Sequence, residues 1–536
     1  MKPFDANGVF RSAPNESSAL RRLAVRGAGA TVLSGGLGQA LQIIATVILA
    51  RLLAPADFGL VAMVTTFSLL LSNFGLNGFT EAVIQREEID HFLASNLFWI
   101  NLAAGSLLTA VFAAAGSLAA QFYSNPHVAP VAAGIAATIF FTSTSVLHLA
   151  LLKRAMRFSV VSANDIVSRF IMVAASILLA WAGWGYWALV AGAVAQSLSA
   201  SAGAWILCRW VPSLPRRAAG TASAVKFAMH VYGRFSVSYG SRNVDNVLVG
   251  WRFNAQSLGF YKKAWDLFAL SAFLFVQSLT SVAVSALSRL NRDPIQYKRK
   301  LLSAIAVTAF VGMGVGANLT LVGKDVIRLL LGPAWDPAGR IFMLFGPGIG
   351  VMFIYGTHSW IHLSIGRPDR WFRWTVIEFV ATGSLFVLGL RWGPAGVAAA
   401  SSASFWILTI PALWYAGRPI HFGVGPVLAA VWKYIVASLL AGCGTAVIMG
   451  RLPSFVTASG WIAAVARIAG ISSLFGVLYV GVVILLHRGC APLYQVTGLL
   501  REMVPWAGSQ NSEPAKDAVS STGTTGVPTL ASEERT

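Results

Sequence analysis

The sequence predicts an all-α integral membrane protein with about fourteen transmembrane helices. Of its 536 residues, 56% are hydrophobic and only 11% are charged, whereas soluble domains carry about 25% charged residues. The chain also contains repeated apolar runs close to the ~20 residues that a helix needs to cross a bilayer. The net charge of +20 could suggest nucleic-acid binding. However, the basic residues lie in short loops between apolar segments, so they indicate membrane topology instead.

The predicted spans follow one another with short polar loops between them. No cleavable signal peptide is expected, because residues 1–27 are polar and basic and the first apolar segment has full length. The predicted segments are 28–50, 58–80, 95–119, 129–152, 164–182, 184–207, 226–250, 265–288, 302–323, 340–363, 373–390, 393–416, 428–449 and 463–486.

The loops predict the orientation. If the N-terminus is cytoplasmic, Lys and Arg are enriched on that side, as in the group Lys153, Arg154 and Arg157. This positive-inside excess predicts cytoplasmic N- and C-termini and an even number of spans. Residues 487–536 are predicted to form a cytoplasmic, partly disordered tail, because most of them are small or polar and lack periodicity.

An internal repeat relates the two halves of the chain. ARLLAPADFGLV at 50–61 aligns with GWRFNAQSLGFY at 250–261, and His148 aligns with His362. The repeat unit contains six helices, so both copies have the same orientation, a layout of secondary transporters that bind substrate between two lobes. The predicted organisation is an N-terminal arm (1–27), an N-lobe (28–207), a C-lobe (226–416) and two further helices (428–486).

The segment 226–252 is long enough to span the membrane yet carries charge through its middle. At 100° per residue, six of its polar side chains fall within an arc of roughly 100°. An Arg or Asp facing lipid at the centre of a helix costs about 2.5–3.5 kcal/mol, so this face is expected to line a protein interior or a watery cavity. We call it the basic stripe; it comprises Arg234, Ser238, Ser241, Arg242, Asp245 and Arg252.

The stripe predicts a pathway for a polar or anionic substrate. Arg guanidinium groups bind phosphate oxygens in pairs, so Arg234 and Arg242 could hold a diphosphate. Asp245 could fix Arg242 or take up a proton. The alternative is a structural Arg–Asp pair between packed helices.

A second polar face lies on segment 58–80 and consists of Thr66, Asn73, Asn77, Thr80 and Glu81. The repeat copy offers Gln277 at the position of Asn77. Uncharged polar side chains in membrane helices often hydrogen-bond between helices. Cavity lining, with Asn73, Asn77 and Gln277 as substrate-binding candidates, and helix–helix contact therefore both remain open.

Three carboxylates are candidates for coupling to an ion gradient: Asp245, Glu378 and Asp165. Asp165 is four residues before Arg169, so a local ion pair is the favoured interpretation. Glu378 has no partner nearby in sequence, which leaves either a coupling role or a partner on another helix.

Motifs for cofactors and catalysis are lacking. His358 and His362 have i, i+4 spacing, but HExxH and a nearby third ligand are absent, so no metal is predicted. The sequence contains no P-loop and no DxD, and its three cysteines are widely separated. We therefore expect neither a cofactor nor an enzyme.

Several segments resemble the polysaccharide-exporter branch of the multidrug/oligosaccharidyl-lipid/polysaccharide exporter superfamily. They include ARLLAPADFGLVAMV (50–64), AVIQREEIDHFLASNLFWINLAAG (82–105), LLKRAMRF (151–158), SRNVDNVLVGWRFNAQSLGFYKKAWDL (241–267) and SALSRLNRDP (285–294). The resemblance implies two six-helix lobes, alternating access, and a lipid-linked oligosaccharide on undecaprenyl diphosphate as substrate. It also implies lipopolysaccharide, O-antigen or exopolysaccharide biosynthesis, with a polymerase and a chain-length regulator as partners.

Two other functions compete with export of a lipid-linked oligosaccharide. A drug–cation antiporter of the same superfamily would require unpaired carboxylates for a cationic substrate, whereas the stripe is basic. A membrane glycan polymerase or ligase would typically have a large outer loop with catalytic residues, which the sequence does not offer.

Overall fold

The computed structural model describes residues 3–5, 7–10, 17–86, 88–216, 218–452, 460–494 and 498; it describes the backbone alone at 17–25, 28, 270–278, 281 and 282. Sixteen α-helices dominate these residues. They are α1 Ser17–Leu52, α2 Pro55–Asn73, α3 Thr80–Gln85, α4 His91–Ala114, α5 Gly116–Phe122, α6 Val128–Arg154, α7 Phe158–Trp181, α8 Tyr186–Cys208, α9 Thr221–Arg252, α10 Ala255–Arg289, α11 Pro294–Leu331, α12 Asp336–Ser364, α13 Pro368–Gly389, α14 Gly393–Gly417, α15 Val424–Gly450 and α16 Trp461–His487.

The predicted all-α membrane fold is confirmed. Nine of the fourteen predicted segments lie within a single observed helix, and 164–182, 184–207 and 373–390 extend one or two residues beyond theirs. Segment 95–119 runs from α4 into α5, and 58–80 covers α2, the π-helical turn Phe74–Phe79 and the start of α3. Eleven described stretches are long and apolar enough to cross a membrane, and one of them, Pro368–Ile420, contains both α13 and α14. The helix that carries the basic stripe, α9, is outside this set. The count of fourteen spans stays a prediction.

Local sequence signals explain where several helices begin. Asp90 accepts a hydrogen bond from the Leu93 amide (2.6 Å) at the start of α4, and Asn254 accepts one from the Ser257 amide (2.8 Å) at the start of α10. Asp293 caps α11 in the same way, and Pro294 occupies its first turn. These caps satisfy backbone donors that a helix leaves free at its N-terminus. The turns between helices are therefore fixed locally.

The helices form two bundles with matching contacts. In α1–α8, the helix α6 packs against α2, α4 and α8, and α7 packs against α1 and α8. In α9–α14, the corresponding helix α12 packs against α10, α11 and α14, and α13 packs against α9 and α14. The last helices, α15 and α16, pack on α11, where Arg467 pairs with Asp325 at 2.7 Å.

The two bundles meet most closely where α2 crosses α10. Gly59 and Gly259 lie at this crossing, and a Cβ atom on Gly59 would overlap the carbonyl oxygen of Ala255. The absence of two side chains thus allows backbone-to-backbone contact. Nearby, the Trp335 indole N–H donates to the Ala50 carbonyl at 2.8 Å. We call the end of the molecule that contains the α1–α2 and α9–α10 turns the crossing end. The opposite end, where α1 and α9 begin, is called the terminal end.

Candidate functional site

The basic stripe changes from accessible to buried along a single helix. Arg234 and Arg242 are exposed, and Ser238 and Ser241 are half-buried between them. Asp245 is only 3% exposed, and the buried segment continues through Gly250 on the faces toward α2 and α10. Arg252 is exposed again at the crossing end. The buried stretch from Asp245 to Gly250, about one and a half helical turns long, thus separates the accessible arginines from Arg252. We call this buried region the seal.

The seal is formed by the α2–α10 crossing. Buried residues of both helices surround it, including Phe58, Leu60, Leu258 and Tyr261. The Lys263 ammonium lies 4.5 Å from the centroid of the Phe58 ring, a cation–π contact between the two bundles. Interdigitated side chains around two backbone contacts leave little room for water.

Asp245 lies inside the seal and has a partner that sequence reasoning missed. The Tyr261 hydroxyl donates a hydrogen bond to Asp245 Oδ2 at 2.8 Å, and both side chains are buried. The suggested pairing of Asp245 with Arg242 is wrong for this conformation, because no ion pair joins them. Asp245 thus belongs to the packed part of the stripe, whereas Arg242 belongs to the accessible part.

The two accessible arginines keep their charge available. Among the residues that the structure describes, neither Arg234 nor Arg242 forms a side-chain hydrogen bond or an ion pair with a carboxylate. Arg242 interacts electrostatically with Glu378 on α13 and with Tyr355 on α12. The Tyr355 hydroxyl also accepts a hydrogen bond from the Trp374 indole at 2.9 Å. Glu378, which has no local partner in sequence, is therefore brought to the stripe by tertiary packing.

The second polar face contributes mainly to packing. Thr66 donates to the Ala62 carbonyl at 2.8 Å, and Asn77 donates to Asn73 Oδ1 at 2.8 Å. Two tyrosines of α9 reach across to α2: Tyr239 donates to the Thr66 carbonyl and Tyr232 to the Leu70 carbonyl. Asn73 and Asn77 are half-buried, and the Gln277 side chain lies outside the described residues. The polar side chains of this face therefore bond within their own segment, and α9 is bonded to α2 through backbone carbonyls.

Asp165 has the local partner that its spacing predicts. Arg169 Nε lies 2.9 Å from Asp165 Oδ2, and both side chains are partly exposed on α7. An i, i+4 ion pair of this kind is a common surface feature of helices. This carboxylate is therefore already engaged within its own helix and contacts no part of the stripe.

The paired histidines lie in an aromatic environment. His358 and His362 are 4% and 0% exposed, with ring centroids 6.1 Å apart. His362 packs against Tyr415, and His358 against Tyr355 and Trp374. Within the described part of the chain, no group of three or more His, Cys, Asp or Glu residues is arranged to hold a metal ion.

Sequence reasoning missed the aromatic residues around the stripe. Tyr261, Tyr355 and Trp374 are isolated in sequence and look like ordinary membrane aromatics. Only the repeat offered a signal, because it placed LGFYK (258–262) at the same position as FGLVA (58–62) near the α2–α10 crossing. The hydroxyl of Tyr261 could not be linked to Asp245 without knowing how α9 and α10 fold back on each other.

Comparisons with solved structures identify the fold. The chain is similar to the lipid II flippase MurJ in an inward closed conformation, with a TM-score of 0.69, 14% identity, and coverage of 85% of this chain and 98% of that one. It also resembles an inward-facing multidrug resistance transporter of the MATE family, with a TM-score of 0.60, 13% identity, and coverage of 73% and 98%.

The relatives found by sequence carry names from polysaccharide biosynthesis. The succinoglycan biosynthesis transport protein ExoT of Rhizobium meliloti is 21% identical, with coverage of 68% of this chain and 74% of the relative. The lipopolysaccharide biosynthesis protein WzxC of Escherichia coli is 20% identical, with coverage of 69% and 75%. A family model described as polysaccharide biosynthesis protein matches residues 48–340. The chain therefore belongs to this polysaccharide biosynthesis protein family.

Proposed function

We propose that this protein is a flippase that moves a lipid-linked oligosaccharide across a bacterial inner membrane by alternating access. The substrate class is an oligosaccharide on undecaprenyl diphosphate, destined for exopolysaccharide, O-antigen or lipopolysaccharide. The observation that carries this proposal is the graded burial of the basic stripe. Arg234 and Arg242 are accessible and form no ion pair with a described residue, and the stripe becomes buried at Asp245, three residues after Arg242.

The chemistry of the substrate explains why such a stripe is needed. A sugar chain and a diphosphate cannot cross about 30 Å of hydrocarbon unaided, because their hydrogen-bonding groups and charges would lose hydration. Arg234 and Arg242 replace water around the diphosphate, and the half-buried Ser238 and Ser241 offer hydroxyl groups between them. The lipid tail stays in the bilayer while the head group crosses.

The positive-inside pattern sets the proposed direction. The terminal end carries the basic loops and faces the cytoplasm, and the crossing end faces the periplasm. In this conformation the accessible arginines are on the cytoplasmic side of the seal. Movement of the bundles α1–α8 and α9–α14 as two lobes would open the α2–α10 crossing and close the terminal end.

Glu378 is the proposed coupling group. It is the carboxylate that packing brings into the electrostatic range of Arg242. Neutralising Glu378 by protonation would strengthen the effective positive charge of Arg242 toward a diphosphate. We expect Glu378→Gln to change the dependence of export on the proton gradient, with Asp165→Asn as the matched carboxylate control. Equal effects of the two substitutions would contradict this role.

A deletion strain tests the function itself. The mutant is analysed for lipid-linked oligosaccharides by mass spectrometry and for surface polysaccharide. We expect a completed undecaprenyl-linked unit to accumulate and surface polymer to be lost, and the mass identifies the sugar. Normal polymer without an accumulated intermediate would contradict the proposal and direct attention to drug export. A polymerase and a chain-length regulator are the proposed partners that would use the exported unit.

A further inference from the structure

A groove of 1220 Å³ lies at the terminal end, between α4 of one bundle and the start of α9 of the other. Its walls are α4, residues 215, 216, 218 and 219 of the connection between α8 and α9, and the first turns of α9. The lining is mostly apolar or small, including Trp99, Ile100 and Val225. Two cations, Arg216 and Lys226, belong to the same lining. The groove is therefore amphiphilic, with an apolar interior and a positive edge.

The other polar groups in its walls are already engaged. Asn96 donates to the Arg216 carbonyl at 2.6 Å and accepts from the Arg216 amide at 3.0 Å. The Trp99 indole donates to the Ser213 carbonyl at 2.8 Å, and the Thr221 hydroxyl donates to the Ala218 carbonyl at 3.0 Å. These bonds fix the connection against α4. They leave the walls with little further hydrogen-bonding capacity for a polar occupant.

The two cations, in contrast, are available to a ligand. Arg216 and Lys226 are exposed, and neither side chain forms an ion pair or hydrogen bond with a residue that the structure describes. The Arg216 guanidinium lies over the Phe92 ring at 5.3 Å, which holds it at the groove while its N–H groups stay free. Such an arrangement matches a ligand with an anionic head and an apolar body.

The groove and the basic stripe lie on opposite sides of α9. At 100° per residue, the mean direction of the four groove residues Thr221, Ala222, Val225 and Lys226 differs from that of the stripe by about 170°. A molecule seated in the groove therefore contacts the face of α9 that points away from Arg234 and Arg242. The occupant is therefore different from the transported head group at its central site.

We propose that this groove binds an anionic phospholipid of the surrounding leaflet, with its phosphate between Arg216 and Lys226 and its acyl chains along Trp99, Ile100 and Ala103. Charge complementarity selects an anionic lipid, because each cation near a membrane surface raises the affinity for such a lipid by about fivefold. Because the lipid would contact α4 of one bundle and α9 of the other, it would occupy a joint that must change when the bundles move.

Native mass spectrometry of the purified full-length protein in a neutral detergent tests the proposal. Phosphatidylglycerol and phosphatidylcholine with identical acyl chains are titrated in parallel. We expect R216A/K226A to weaken phosphatidylglycerol binding by about 25-fold and to leave phosphatidylcholine binding unchanged. The matched control R299A/K300A removes two exposed cations at the same end but outside the groove, so it should change neither.

A second variant fills the apolar part without altering charge. Ala103→Trp should weaken binding of both lipids while the thermal unfolding midpoint remains that of the wild type. Equal binding of the two lipids by the wild type, or unchanged binding in R216A/K226A, would overturn the proposal. The proposal would also be overturned if undecaprenyl phosphate displaced bound phosphatidylglycerol at a lower concentration than added phosphatidylglycerol does. The groove would then serve the transported lipid.

Discussion

The two halves of the basic stripe differ sharply although they belong to one helix. Around Arg234 and Arg242, α9 is accessible, and no carboxylate of the described residues is bonded to these two cations. One turn beyond Arg242, Asp245 is buried and bonded to Tyr261. The difference comes from the neighbours of α9, since the α2–α10 crossing covers only the second half.

This contrast shows how one polar face serves two purposes. A charged side chain inside a membrane protein needs either water or a fixed partner. The accessible half relies on water and can exchange it for a substrate, whereas the sealed half has a permanent partner. The comparison predicts that changes in the seal alter access, and that changes in the accessible half alter transport.

The largest effect is expected from Gly59→Ala. The added methyl group would overlap backbone atoms of α10, so the crossing must separate. In a background lacking the exposed Cys443 and Cys490, we expect maleimide labelling of Val249→Cys, at a fully buried position, to accelerate at least tenfold. Gly36→Ala is the control, because a Cβ there would meet open space. Unchanged labelling of Val249→Cys in Gly59→Ala would show that the crossing is not the seal.

The next largest effect is expected from Arg242→Ala. The substitution removes charged hydrogen bonds to the substrate that are worth about 1.5–3 kcal/mol. The affinity for the substrate or the transition state should therefore fall by roughly tenfold to a hundredfold. Surface polysaccharide in a complemented deletion strain should fall accordingly while expression is maintained. Arg242→Lys should be intermediate because it keeps the charge but loses the bidentate geometry. Arg292→Ala, which removes an exposed cation in the turn before α11, should export normally; wild-type polymer in Arg242→Ala would refute the role.

A smaller effect, on stability, is expected from Tyr261→Phe. Removing the hydroxyl leaves the buried Asp245 without its donor, which costs about 1–3 kcal/mol in the free energy of unfolding. Chemical unfolding in detergent micelles measures this cost. In the double variant Y261F/D245N the loss should be smaller than the sum of the two single losses, because the pair interacts directly. Additive losses would indicate that the bond contributes nothing to the seal. Tyr186→Phe serves as the hydroxyl-removal control.

The smallest effect is expected from Asp165→Asn. Its ion pair with Arg169 is partly exposed and local to α7, so its removal should cost only about 0.3–0.5 kcal/mol in the free energy of unfolding. Export should stay at the wild-type level. A loss of export with normal expression would return Asp165 to the set of coupling groups.

The sequence was sufficient for the fold because periodicity and length are local properties. The fourteen apolar segments, the stripe on α9 and the Asp165–Arg169 pair all follow from spacing along one helix. The seal could not be predicted in this way, since Asp245 and Arg242 are three residues apart on one face and their spacing does not show that α10 covers only Asp245. Likewise, Glu378 reaches Arg242 only through the packing of α13 against α9.

Reconstitution of the purified protein tests the central claim most directly. Proteoliposomes containing a fluorescent oligosaccharide on undecaprenyl diphosphate are treated with a membrane-impermeant quencher, and the fraction of protected substrate is followed over time. The wild type should make substrate of the inner leaflet accessible, whereas Arg242→Ala should behave like protein-free liposomes. Equal rates for wild type and Arg242→Ala, or no exchange by either when the ion gradient is present, would contradict transport along the basic stripe.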